Sequence, residues 1–137
     1  MRIRDALESD AEALAAATDR PREVVTNMVH DRSVRVAVRD DGEEVVGFVA
    51  FDVRDDTVHV TDFDGDGKTI ERLFEEPRRF ARREEMGVEV VVPTDDGVSE
   101  EIERLGFERA GRGPRFEGRP TTRYRIEFEA LDGREDE

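Results

Sequence analysis

The stretch Val58-His59-Val60-Thr61-Asp62-Phe63-Asp64-Gly65-Asp66-Gly67-Lys68-Thr69-Ile70 changes its hydrophobic period part-way along. Val58 and Val60 alternate with His59 and Thr61, the period-2 pattern of a strand with one buried face. From Ile70 the apolar residues instead recur at helical spacing, through Leu73, Phe74, Phe80 and Ala81. Between them, Asp62 to Thr69 forms a glycine-containing turn that holds the only lysine of the chain. A turn of this kind exposes backbone N–H groups beside the positive end of a helix dipole, where an anion is favoured.

Working outward, Met1 to Arg4 is a short strand, and Ser9-Asp10 begins a helix through Ala11, Leu14, Ala15 and Ala16. Pro21 opens a second helix carrying Val24, Val25, Met28 and Val29. Residues 33–39, 45–53 and 57–61 read as a three-strand meander, with turns at Asp40-Asp41-Gly42 and Arg54-Asp55-Asp56. Pro77 is expected to kink or split the helix that follows the turn. Val88 to Val92 is a continuous apolar strand of the kind buried inside a sheet. Val98, Ile102 and Leu105 stripe a short helix ended by Gly106. Final strands span 107–110 and 121–128, joined by a Gly/Pro/Arg connection. The expected organisation is one domain over 1–130 and an acidic disordered tail over 131–137.

The charge balance is extreme: −14 net, with 42% of residues charged and the cations almost wholly arginine. Such a surface looks like that of a protein from a salt-loving organism, where concentrated salt screens the self-repulsion. It argues against nucleic acid as a partner, which requires a basic face. Without cysteine the chain has no disulfide, thiolate metal site or cysteine nucleophile, and two histidines do not make a multi-histidine zinc site. No apolar run approaches the roughly 18 residues of a membrane span, and no signal-peptide core opens the chain, so it reads as cytoplasmic.

The element order β-α-α-β-β-β-α-β-α-β-β, taken with three short motifs, resembles the GNAT N-acetyltransferase family. Ile3-Arg4-Asp5-Ala6 with Asp10 to Leu14 is similar to that family's first strand and helix, Val46-Gly47-Phe48-Val49 to its "VVGF" third strand, and Leu105-Gly106-Phe107-Glu108 to its "LGF" entry into the sixth strand. The resemblance runs to about Phe128. It implies a mixed α/β domain with a mostly antiparallel, twisted sheet of about seven strands, splayed between the fourth and fifth, and helices on both faces. It also implies acetyl-CoA as co-substrate and a small-molecule or protein amine as acceptor, in a monomer or homodimer without membrane attachment.

The turn has three readings. As a nucleotide P-loop it supplies Gly67-Lys68-Thr69, but Asp62 stands where the opening glycine belongs. As a calcium loop, Asp62, Asp64 and Asp66 fall at positions 1, 3 and 5 with Gly67 at 6, yet Leu73 occupies position 12, where a bidentate glutamate is required. As the acyl-CoA loop of the resembled family, [QR]-x-x-G-x-[GA], Gly65 and Gly67 match and Asp62 departs. Pantetheine contacts then come from Val60, Thr61 and Asp62, and pyrophosphate contacts from Gly65, Asp66, Gly67, Lys68 and Thr69. The aspartates are a cost: one unit pair at about 8 Å repels by roughly 2 kcal/mol at an effective dielectric of about 20. The competing function is a non-catalytic module whose three aspartates hold calcium or a partner.

Other candidates have plainer alternatives. The resemblance places a tyrosine acid at Ile102, which cannot donate a proton, and an asparagine at Asp95. Tyr124, the only tyrosine, alternates with Ile126 and Phe128 and reads as core. His59 is the candidate base, against its reading as an ordinary polar-face residue. His30 reads as a partner of its helix end. Arg112, Arg115 and Arg119 are a candidate grip on an acceptor carboxylate or phosphate, against their reading as solubilising loop residues. Arg78, Arg79, Arg82 and Arg83, flanked by glutamates at helical spacing, read as a salt-bridged solvated face.

Overall fold

The structure, a computed structural model, describes residues 1–42, 44–95 and 97–135. The strands are β1 Arg2–Asp5, β2 Ser33–Val38, β3 Val45–Arg54, β4 Thr57–Asp64, β5 Gly87–Pro93, β6 Glu108–Arg112 and β7 Thr121–Ile126. The helices are α1 Ala11–Thr18, α2 Arg22–Asp31, α3 Gly67–Glu84, α4 Ser99–Arg104 and α5 Phe128–Glu135. The seven strands are ordered β1-β2-β3-β4-β5-β7-β6. β4 and β5 are the parallel pair, in register from Thr57↔Gly87 to Val60↔Val90, and β4 runs four residues beyond that register. The resulting architecture is the mixed α/β, mostly antiparallel sheet expected from the sequence.

Two compact units share this chain: Met1–Asp52 with Thr61–Glu76, and Val53–Val60 with Pro77–Glu137. In the first, β1 to β3 pair antiparallel, Ile3 opposite Ala37 and Val36 opposite Phe48. Alternation sends Val34, Val36 and Val38 of β2 and Phe48 and Ala50 of β3 onto Ala11 and Leu14 of α1 and Val25 of α2. Gly47, one residue before Phe48, faces the other side, against Thr69 and Leu73 of α3. In the second unit Val88, Val90 and Val92 are buried and stand opposite Ile126, Tyr124 and Thr122 of β7.

Three boundaries differ from the sequence expectation, each for a packing reason. β4 continues through Asp64 because Phe63 packs edge-on against Phe74, ring centroids 5.1 Å apart. α3 is one helix of 18 residues with Pro77 inside it. An internal proline costs about 3 kcal/mol, and full burial of Leu73 and Phe74 returns roughly 1.5–3 kcal/mol each. The final strand stops at Ile126, and residues 128–135, expected as strand end and tail, form α5 with Leu131 fully buried. Residues 136 and 137 of the expected tail lie outside the described residues.

At the entry to α1 Asp10 accepts two hydrogen bonds from the Arg4 guanidinium, at 2.8 and 3.0 Å, and one from the Leu7 amide at 2.7 Å. The Arg4 hydrogen bond holds this carboxyl below its ordinary value of 3.8, against the opposing pull of burial. Because the folded value is the lower one, the stabilisation is complete above pH 3.8 and is lost as pH falls through the folded value. Asp10→Asn is therefore expected to cost about 1–2 kcal/mol at pH 7. Urea unfolding at pH 7 and in strong acid tests this, since the deficit closes once both side chains are neutral.

Candidate functional site

With β4 ending at Asp64, the turn is only Gly65-Asp66 before α3 starts. Gly65 has φ +145°, and a Cβ there would lie 2.9 Å from Thr69 Cγ2. Glycine is needed for both backbone conformation and space. Asp66 caps the helix: its carbonyl accepts from the Ile70 amide at 2.8 Å and its Oδ1 from the Thr69 amide at 2.9 Å. The Thr69 amide, its hydroxyl and the Lys68 charge hold the Asp66 carboxyl below the ordinary range.

The three aspartates of this turn do not converge. Asp64 Oδ1 accepts from the Gly65 amide at 2.9 Å, and Asp66 faces the start of α3. Asp62 is turned onto Arg20, whose Nη2 donates to Oδ1 at 3.0 Å while Nη1 pairs with Oδ2. Among the described residues no group of three acidic or histidine side chains is placed to hold a metal. The calcium-loop reading of Asp62, Asp64 and Asp66 is thereby corrected: each carboxylate already accepts from a different donor, and two of them belong to a strand.

Arg20 was not legible as a site residue. It follows Asp19, which adopts the left-handed conformation at the end of α1, and its amide donates to the Ala15 carbonyl. Its guanidinium neutralises the carboxylate standing at the family pattern's Gln/Arg position. Burial nonetheless pushes the Asp62 carboxyl up, outweighing the pull of Arg20 downward.

The remaining candidates lie as follows. His59 is half-buried on β4, in register with Glu89 of β5. That glutamate stands 3.4 Å from Arg125 and 3.5 Å from Arg123. Arg115 donates to the Gly118 carbonyl at 2.8 Å, within its own connection, and Arg119 donates to Asp95 at 2.9 Å, in the connection between β5 and α4. The Arg112 side chain is exposed, and its carbonyl accepts from Arg123. Ile102 is fully buried and Tyr124 nearly so, both as core. Arg78 is no part of a solvated face: it is 3% exposed and donates to the Leu105 carbonyl, on the stripe that includes Phe74 and Ala81.

No family model matches the chain, and no curated protein matches it in sequence. Solved structures match its fold over nearly their whole length. A ribosomal-protein-alanine N-acetyltransferase from Brucella melitensis superposes with a TM-score of 0.74 at 19% identity, covering 92% of this chain and 99% of that one. An acetyltransferase of the GNAT family from Bacillus anthracis gives 0.72 at 14% identity, covering 93% and 94%. The chain has the GNAT fold. Mutant forms of the spermidine/spermine N-acetyltransferase of Vibrio cholerae give 0.75 at 13% identity, covering 97% and 98%. In this GNAT fold Val46-Gly47-Phe48 and Leu105-Gly106-Phe107 occupy the third strand and the entry to the sixth, as the resemblance implied.

Proposed function

We propose that the protein is an acetyl-CoA-dependent N-acyltransferase acting on a small-molecule or protein amine. The observation that carries this reading is the turn itself: a strand, two residues with an obligatory glycine, and the start of an 18-residue helix. In this reading the backbone of Val60, Thr61 and Asp62 meets the pantetheine arm. Gly65 to Thr69 meets the pyrophosphate, with Lys68 supplying charge and the helix start supplying N–H donors. The coenzyme contributes the activated acyl group; the chain contributes binding, orientation and a site where an amine meets it. His59 is the candidate base and Arg112, Arg115 and Arg119 the candidate acceptor contacts. The neighbours act on ribosomal-protein alanine and on spermidine/spermine, which supports an amine acceptor without choosing between the two kinds.

The local chemistry fits acetyl-CoA with one internal competitor. Asp62 is neutralised by Arg20, so its charge no longer opposes the pyrophosphate in full. The Asp66 carboxylate, by contrast, occupies the Thr69 amide that an anion would use. A thermal-shift titration with acetyl-CoA should raise the unfolding midpoint as ln(1 + [L]/Kd). Asp66→Asn, which keeps a capping oxygen and removes the charge, is expected to lower Kd several-fold in 0.1 M salt and much less in 2 M KCl. No response of the wild type to millimolar acetyl-CoA would leave the fold without the enzyme.

A further inference from the structure

The segment from Arg109 to Arg125 reverses the charge of the chain. It holds six arginines against one glutamate, Glu117, in a protein whose net charge is −14. Three of the six meet carboxylates: Arg119 reaches Asp95, Arg123 and Arg125 share Glu89, and Arg125 also holds Glu127. Arg115 donates to a carbonyl. Arg109 and Arg112 are both exposed, and among the described residues neither guanidinium has a partner.

A β-bulge puts these two arginines side by side. β6 is an edge strand of the sheet, next to β7 alone. Its register steps from Arg109↔Tyr124 to Gly111↔Arg123, leaving Ala110 as the extra residue, and continues to Arg112↔Thr122. Residues three apart normally point to opposite faces of a strand. Here their partners are two apart, so Arg109 and Arg112 share the face of Tyr124 and Thr122. Their stems stand roughly 7 Å apart, the spacing of alternate residues in an extended chain. Two carbonyls of this edge are already taken. Arg123 lies over Gly111 and donates to the Ala110 and Arg112 carbonyls, at 3.0 and 3.1 Å. A partner therefore meets side chains here and not an open strand edge.

We propose that Arg109 and Arg112 form a docking site for an extended acidic polypeptide segment with carboxylates at alternate positions, one for each guanidinium. Charge complementarity selects an anion, and the surrounding surface selects a short one. A nucleic acid strand carries its charge on past the pair, where the acidic remainder of the chain repels it. A polypeptide confines its charge to two side chains and adds apolar contact. The connection after Arg112 offers that contact in Phe116, at 66% the most exposed large apolar side chain among the described residues. This assignment goes beyond the acyltransferase reading and does not depend on it.

Fluorescence anisotropy in 0.1 M KCl tests the site with a labelled, end-capped peptide that alternates glutamate and threonine. The wild type is expected to bind it, and Arg112→Gln to bind it about fivefold more weakly. The decisive variant exchanges two neighbours. Glu108→Arg with Arg109→Glu keeps composition and net charge but moves the guanidinium to the face of Arg125. It is expected to lose affinity about tenfold, with an unfolding midpoint close to that of the wild type, because both side chains are exposed. Undiminished affinity in the exchanged variant would overturn the proposal, since general charge attraction survives the exchange. So would a wild type that ignores the peptide, or one that binds oligouridylate more tightly than the peptide. None of these measurements uses acetyl-CoA, so their failure leaves the acyltransferase reading untouched.

Discussion

Gly47→Val is expected to remove about 3 kcal/mol of folding stability, the upper end of what overpacking a close contact costs. A Cβ on Gly47 would lie 2.6 Å from Thr69 Cγ2, 2.7 Å from the Asp64 carbonyl oxygen and 3.2 Å from Leu73 Cδ1. The Thr69 methyl can rotate away, and the Asp64 carbonyl cannot, because it is backbone at the end of β4. Even alanine therefore presses the β4 end away from β3, and valine adds two methyl groups toward Leu73, which is already fully buried. For a chain of this size about 3 kcal/mol corresponds to a midpoint lower by roughly 10 °C. The acetyl-CoA response should fall with it, since the helix start that would meet the pyrophosphate rests on this glycine. Gly47→Ala combined with Thr69→Ser separates the two contacts: the serine removes Cγ2 and should restore only the side-chain share. A Gly47→Ala protein within 0.5 kcal/mol of wild type would mean that α3 does not begin against β3.

The same glycine shows what was legible in the sequence. Val46-Gly47-Phe48 and the change of period between Val60 and Ile70 are local signals. They place a strand, a turn and a helix without knowledge of the rest of the fold. Leu105-Gly106-Phe107 works in the same way. What escaped is what depends on a distant partner. Nothing near Asp62 announces Arg20, and nothing near Arg20 announces a strand, so the carboxylate read as a liability in a loop when it is neutralised on a strand. Arg78 failed for a related reason: its neighbours Arg79, Arg82 and Arg83 suggested a solvated face, while its spacing from Phe74 and Ala81 puts it on the buried one. Pro77 predicts a break by its own chemistry, and burial on either side of it overrides that preference. Asp64 and Asp66 matched a calcium loop in spacing because spacing ignores direction: one carboxylate meets the next amide and the other caps a helix.

Raising KCl from 0.1 to 2 M is expected to raise the unfolding midpoint by on the order of 10 °C. Two electrostatic effects oppose each other here. Salt weakens the local pairs, including Arg32–Asp52 and the more exposed Arg119–Asp95, and such pairs contribute little to stability. Salt also screens the repulsion among charges that sum to −14, a long-range term felt by all 36 acidic side chains at once. With the Debye length falling from about 10 Å at 0.1 M to about 3 Å at 1 M, the second effect is removed almost entirely over this range, and it wins because it involves more charge. Screening has a recognisable form: most of the gain arrives below about 1 M, and NaCl matches KCl. A cation held at a specific site would instead saturate as a single-site isotherm and distinguish sodium from potassium. Millimolar calcium added in 2 M KCl should change nothing, because Asp62, Asp64 and Asp66 are each turned to a different donor. A midpoint that stays flat or falls between 0.1 and 2 M KCl would show that the paired carboxylates, and not the net charge, dominate the electrostatics of this fold.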